Sequence, residues 1–154
     1  MTQQDAAQDK PKWTRPKLPI AAAVVSLVGL VDAVYLTIHH YTAEAVPCGL
    51  EFDCEAVLGS RFAEIAGIPL AAFGATAYFV AFSLAILTAF GNRLTWHMFG
   101  IQATMMALVS GYLIYVQHSL IHAWCQYCLV SAGTSFTLFL LFLASVLLRP
   151  RQPV

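Results

Sequence analysis

Four cysteines carry the reactive chemistry of this chain, and they fall in two pairs. Cys125 and Cys128, in Trp124-Cys125-Gln126-Tyr127-Cys128, lie three positions apart and open an apolar run that continues to Leu148. Positions i and i+3 share a helix face, so the two thiols lie together. A helix start carries partial positive charge and unpaired N–H groups, which favour a thiolate and lower a cysteine's pKa. The stretch predicts a reactive dithiol at the mouth of a helix. Cys48 and Cys54 have five residues between them, in the acidic, turn-rich segment Pro47-Cys48-Gly49-Leu50-Glu51-Phe52-Asp53-Cys54. Three chemistries suit two such pairs: a four-cysteine zinc site, two inert structural disulfides, or thiol exchange. Zinc knuckles usually leave about two to four residues between ligands, fewer than separate Cys48 and Cys54. A three-residue spacing at a helix start restrains a fold little but suits exchange.

Composition sets where these thiols work. Of 154 residues, 59% are hydrophobic and only 10% charged, against about a quarter charged in soluble domains. A formal net charge of zero gives a nucleic-acid partner no electrostatic support. Four long apolar segments stand out: Leu18 to Ile38, Ile68 to Phe90, Leu94 to Val116 and Trp124 to Leu148. At about 1.5 Å per residue each exceeds a hydrocarbon core of about 30 Å. They are continuous rather than alternating, and only helices or closed barrels satisfy a backbone in lipid. The expected fold is all-α, a four-helix transmembrane bundle over residues 18–148, between tails at 1–17 and 149–154. The basic start is not read as a signal peptide, because the apolar run is too long and no small-residue cleavage site follows.

Lys and Arg give the orientation. With the N-terminus in the cytoplasm, Lys10, Lys12, Arg15, Lys17, Arg93, Arg149 and Arg151 lie inside and only Arg61 lies outside. Both termini are then cytoplasmic. The 39–67 loop and the His118–His122 turn face the periplasm, and all four cysteines meet the oxidising side. Within that loop Val57, Leu58, Phe62 and Ile65 share one helical face, which predicts a short interfacial helix over 55–65 covering the active site.

The pattern Cys48-x5-Cys54-x5-Ser60, then Gly67-Ile68-Pro69-x4-Gly74-x3-Tyr78, then Cys125-x-x-Cys128 at the head of the last helix, resembles the vitamin K epoxide reductase family. Its bacterial branch, which couples a quinone to disulfide formation, is the nearer likeness. The resemblance covers roughly residues 18–148. It implies a membrane thiol–disulfide oxidoreductase in the inner membrane, with a quinone of the menaquinone or ubiquinone class as electron acceptor. By the resemblance, Cys125 and Cys128 are the pair beside the quinone, with Cys128 facing it. Cys54 exchanges with Cys125 through a transient bridge, and Cys48 is the outer thiol that meets a reduced thioredoxin-fold protein. Ser60 matches the family serine near the quinone pocket; a turn hydrogen bond within the outer helix is its plainer role. The vitamin-K-binding asparagine and tyrosine of the animal enzymes fall at Leu70 and Ala132, neither a comparable donor. Some bacterial relatives continue into a fused thioredoxin domain. This chain ends at Val154, so the expected dithiol partner is a separate protein. A second four-helix quinone–disulfide family carries its Cys-x-x-Cys in the first outer loop, the reverse of the order here.

Other polar residues in the apolar segments need a reading of their own. Asp32 lies in the first span with Tyr35 a helical step away. A carboxyl in a span is a functional hypothesis by default, here a proton relay set against a buried structural hydrogen bond. Trp124, Tyr127 and Tyr35 join Ser60 as candidate quinone contacts, although interfacial aromatic belts place such residues too. His39, His40, His118 and His122 gather at the outer rim, and no metal site is assigned to them. Gly100, Ala107 and Gly111 allow close helix approach. The rival to an enzyme is a non-enzymatic tetraspan protein whose cysteines form structural disulfides or a metal site.

Overall fold

The computed structural model describes residues 17–148. The tails expected at 1–17 and 149–154 lie outside the described residues, apart from Lys17, which opens the first helix. Among the described residues four helices are long and apolar enough to cross a membrane: α1 (Lys17–Thr42), α3 (Leu70–Ala89), α4 (Arg93–Val116) and α5 (Gln126–Leu147). The short helix α2 (Cys54–Leu58) lies between the first two. A π-helical turn, Gln117–Ile121, extends α4, and His122 in the left-handed region (φ 58°) reverses the chain toward α5. Antiparallel succession puts the starts of α1 and α5's far end on one side and all four cysteines on the other. The spans form a ring in which α1 and α4 each touch α3 and α5. Most side chains on the outer faces are apolar and exposed, as lipid contact requires.

With no hydrophobic drive between helices in lipid, close approach and polar pins hold such a ring. Ala22, Ala23, Ala33, Ala81, Ala85 and Ala103 are buried at the contacts. A Cβ on Gly29 would run into the buried, hydrogen-bonded Tyr78 ring, so that position requires glycine, and one on Gly100 would displace the Phe142 ring. Gly111 shows only ordinary contact distances, unlike the expected close approach. Tyr78 is buried, and its hydroxyl donates to the Ser131 carbonyl and meets the hydroxyls of Thr134 and Ser135, which ties α3 to α5. At the opposite end Trp96 stacks on Phe99 at 4.8 Å and its Nε1 donates to Ser145 Oγ at 2.8 Å.

The outer loop departs from the expected 55–65 helix. Asp53 caps α2, with its Oδ1 accepting from the Ala56 N–H at 3.0 Å. The helix stops after Leu58, where the Ser60 N–H and Oγ both turn back to the Val57 carbonyl. β1 (Glu64–Ile65) then pairs antiparallel with β2 (Ile68–Pro69). Ala66 and Gly67 between them both have positive φ, 54° and 78°, as a tight two-residue hairpin turn demands. The apolar pattern that suggested one helix is shared between α2 and this hairpin: Val57 is buried, while Ile65 is exposed.

Candidate active site

The loop before α2 is drawn onto the head of α5. The Asp53 N–H donates to the Trp124 carbonyl at 3.0 Å. The Gly49 N–H donates to Gln126 Oε1 at 3.2 Å, and the Tyr127 hydroxyl donates to the Pro47 carbonyl at 3.0 Å. These bonds flank Cys48 and reach the residue before Cys54, and the two cysteines form a disulfide. Cys54, Val57 and Cys125 make one small buried cluster, with Cys48, Ile121, Tyr127 and Cys128 packed against it. Cys125 and Cys128 are free thiols. All four sulfurs thus gather at one end of the bundle, one pair in the outer loop and at the start of α2, the other at the head of α5 beneath them.

Cys125 is the N-cap of α5, and its Sγ accepts the Cys128 N–H at 3.4 Å. Its own N–H donates to the buried Gln117 Oε1 at 3.1 Å, across the π-helical turn. The Cys128 thiol bonded to it, helped by the N–H groups at the helix start, holds the Cys125 thiol below its ordinary range, against the opposing effect of burial. Position along the helix puts Cys125 nearer the water, yet it is 0% exposed while Cys128 is only partly covered. The loop closes over Cys125, whereas Cys128 borders an internal space. Cys48 is partly exposed and Cys54 is 2% exposed, so the outer disulfide has one reachable and one sheltered sulfur.

That internal space is a cavity of about 670 Å³ between the spans and under α2. Ligand sites commonly measure about 300–1,000 Å³, mostly apolar with a few convergent polar groups. Here the polar wall groups include Cys128, Ser60, Asp32, Gln102, Gln117 and Tyr78, set among apolar neighbours such as Leu36, Phe73 and Met106. Asp32 Oδ2 is buried and has no hydrogen-bond partner among the described residues. An apolar cavity with a thiol and a few polar groups on its wall fits a quinone headgroup.

Of the candidate quinone contacts, Ser60 lines the cavity while its hydroxyl donates to the Val57 carbonyl at 2.7 Å. Tyr35, Tyr127 and Trp124 are not among the lining residues. Tyr35 sits 4.4 Å from the His39 ring and 5.4 Å from the Tyr127 ring, and Trp124 lies 5.7 Å from His118. At the rim His40 pairs with Glu64 at 3.3 Å. Sequence reasoning passed over Gln117 and Gln126. The one available signal was an amide at the start of the turn before the dithiol and another between its two cysteines, and amides at helix ends are too common to single out.

Compared with known families, residues 20–143 match the vitamin K epoxide reductase family. A curated relative, the thiol-disulfide oxidoreductase LTO1 of Arabidopsis thaliana, is 34% identical over 135 residues. That match takes in 81% of this chain but only 36% of the relative, so the chain spans about a third of that protein's length. The family match covers the four spans, the outer loop and both cysteine pairs. The chain belongs to the vitamin K epoxide reductase family.

Proposed function

We propose that this chain is a multi-pass membrane thiol–disulfide oxidoreductase that passes electrons from an extracytoplasmic dithiol protein of thioredoxin fold to a membrane quinone. The observation that carries this reading is the graded path of sulfurs. Cys48 is reachable from outside, Cys54 and Cys125 share one buried cluster, and Cys128 lines the cavity. A partner thiolate attacks Cys48, and Cys54 leaves as a thiolate. The partner's second thiol then releases it as a disulfide, with Cys48 and Cys54 reduced. Cys54 next attacks Cys125 of an oxidised Cys125–Cys128 pair, and Cys128 leaves. Cys48 attacks Cys54, which restores the outer disulfide and frees Cys125. The lowered pKa of Cys125 makes it a good leaving thiol in that step. As the inner pair closes again it gives up two electrons and two protons, for which a quinone held in the cavity beside Cys128 would supply the acceptor. Ser60 and Cys128 border the headgroup in this reading, while Tyr127 and Trp124 serve by holding the loop. The thioredoxin-fold partner is proposed from the family resemblance, and the partly exposed Cys48 gives it a sulfur to attack. The same reading puts both chain ends in the cytoplasm of a bacterial inner membrane, supported by the Lys/Arg bias.

Purified protein mixed with a reduced thioredoxin-fold dithiol and a short-chain ubiquinone or menaquinone tests this. Quinone absorbance should fall in proportion to dithiol oxidation. Cys128→Ala should abolish quinone reduction and accumulate a Cys54–Cys125 cross-link between loop and α5, with folding intact. A Cys128→Ala protein that still reduces quinone, or a wild type that reduces neither quinone, overturns the reading.

A further inference from the structure

Oxidising two thiols to a disulfide with a quinone moves protons as well as electrons. Two S–H bonds break, one S–S bond forms, and two electrons and two protons reach the acceptor, which leaves as the hydroquinone. The inner pair needs a group that handles protons inside an apolar cavity, and the cavity wall offers few. On α1 the cavity face carries Asp32, His39 and His40, and the segment after it carries Glu44. α2 contributes Glu55, α3 Tyr78 and α5 Cys128, while α4 and the turn after it contribute the amides of Gln102 and Gln117. Most of these are engaged or stand at the rim. His40 pairs with Glu64 at 3.3 Å, and His39 Nδ1 lies 3.4 Å from the Glu44 carbonyl. The Tyr78 hydroxyl is taken up by α5. Glu44 and Glu55 are exposed. Asp32 differs: it lies about 10 Å below His39 along α1, two helical turns toward the membrane interior. Its Oδ2 is buried without a partner among the described residues. A buried carboxyl oxygen left unsatisfied loses its hydration without replacement, and inside a span such a cost marks a working group.

Building on the proposed quinone chemistry, we propose that Asp32 is the proton carrier of this cavity, moving a proton between the Cys128 thiol and the acceptor oxygen. The carboxyl gives its proton to that oxygen and regains one from the Cys128 thiol as the sulfur is oxidised, so Asp32 ends each turnover as it began. The proton of Cys125 is released at the rim, and one proton taken up from the rim reaches the second acceptor oxygen, so the acceptor still leaves as the hydroquinone. Electron flow through the loop does not involve Asp32. Its removal should therefore separate the two halves of the reaction.

The test uses Asp32→Asn, Asp32→Ser and Asp32→Glu in the full chain, pre-reduced and mixed anaerobically with a short-chain quinone. General acid–base contributions run to about 10²–10⁴-fold, so single-turnover quinone reduction should fall at least 100-fold in the Asn and Ser variants and recover to within tenfold in Glu. Reduction of the cysteines by the external dithiol, read without quinone by mass-tagging of free thiols, should stay within twofold of wild type. Quinone protection of Cys128 against maleimide should also stay within twofold. Wild-type quinone reduction in Asp32→Asn overturns the proposal. So does loss of quinone protection, which would make Asp32 a binding group, or unfolding of both the Asn and Ser variants, which would make it structural. A wild type that reduces no quinone fails at the earlier reading and takes this one with it.

Discussion

Cys125 combines two properties that rarely coincide, full burial and a pKa below the ordinary thiol range. The lowering comes first from the Cys128 thiol, then from backbone N–H groups at the helix start, and burial opposes both. The sign gives a prediction. A lowered pKa means that the thiolate is already present at pH values where a free cysteine is still protonated. Alkylation of Cys125, followed by peptide mass spectrometry across pH, should reach half its maximal rate below the midpoint of free cysteine. In Cys128→Ala, alkylated after its Cys54–Cys125 bond has been reduced, the principal cause is gone and that midpoint should move upward. Gln117 acts on the same residue through its amide. Gln117→Leu orphans the buried Cys125 N–H and should lower unfolding free energy by about 1–3 kcal/mol, read by denaturant unfolding in detergent. The cysteines were legible because their spacing alone brings Cys125 and Cys128 to one face and one helix start. Gln117 was not, because its partner lies eight residues away across a π-helical turn that no periodicity announces. The burial order of Cys125 and Cys128 was not legible either, since depth along a helix says nothing about a loop folded over its end.

At the scale of elements, hydropathy located all four spans because lipid leaves the backbone no alternative to helix. Their ends shifted by a few residues: α1 runs on to Thr42, and α5 starts at Gln126 rather than Trp124. The outer loop resisted because its path is set by bonds between residues some 70 to 80 positions apart, such as Asp53 with Trp124 and Pro47 with Tyr127. Its short helix packs on Cys125 and is capped by Asp53. Asp53→Ala removes the side-chain acceptor for the Ala56 N–H, a loss of about 0.5–2 kcal/mol for a typical cap. The expected outcome is faster hydrogen exchange over Cys54–Leu58 and faster alkylation of Cys125, with the four spans unchanged. Equal protection in the variant would show that the loop bonds alone hold the cover.

Across the whole molecule, the four cysteines and the cavity rim share one end of the bundle, opposite the starts of α1 and α4. If the Lys/Arg bias sets orientation, that end faces outward. After mild reduction, a membrane-impermeant maleimide should label Cys48 on intact cells, and labelling that requires permeabilisation would invert the arrangement. The sulfur relay also needs movement, since Cys54 must exchange partners between Cys48 and Cys125. The Tyr78 hydroxyl says which part can move. It grips Ser131, Thr134 and Ser135 about one to two turns below Cys128, while its ring fills the notch left by Gly29 on α1. Sliding α5 by one residue, or rotating it, would break this three-helix spline. In the proposed relay the last helix is thereby the stator, fixed in height and bearing against the cavity, and the swinging arm is the loop that carries Cys48 and Cys54.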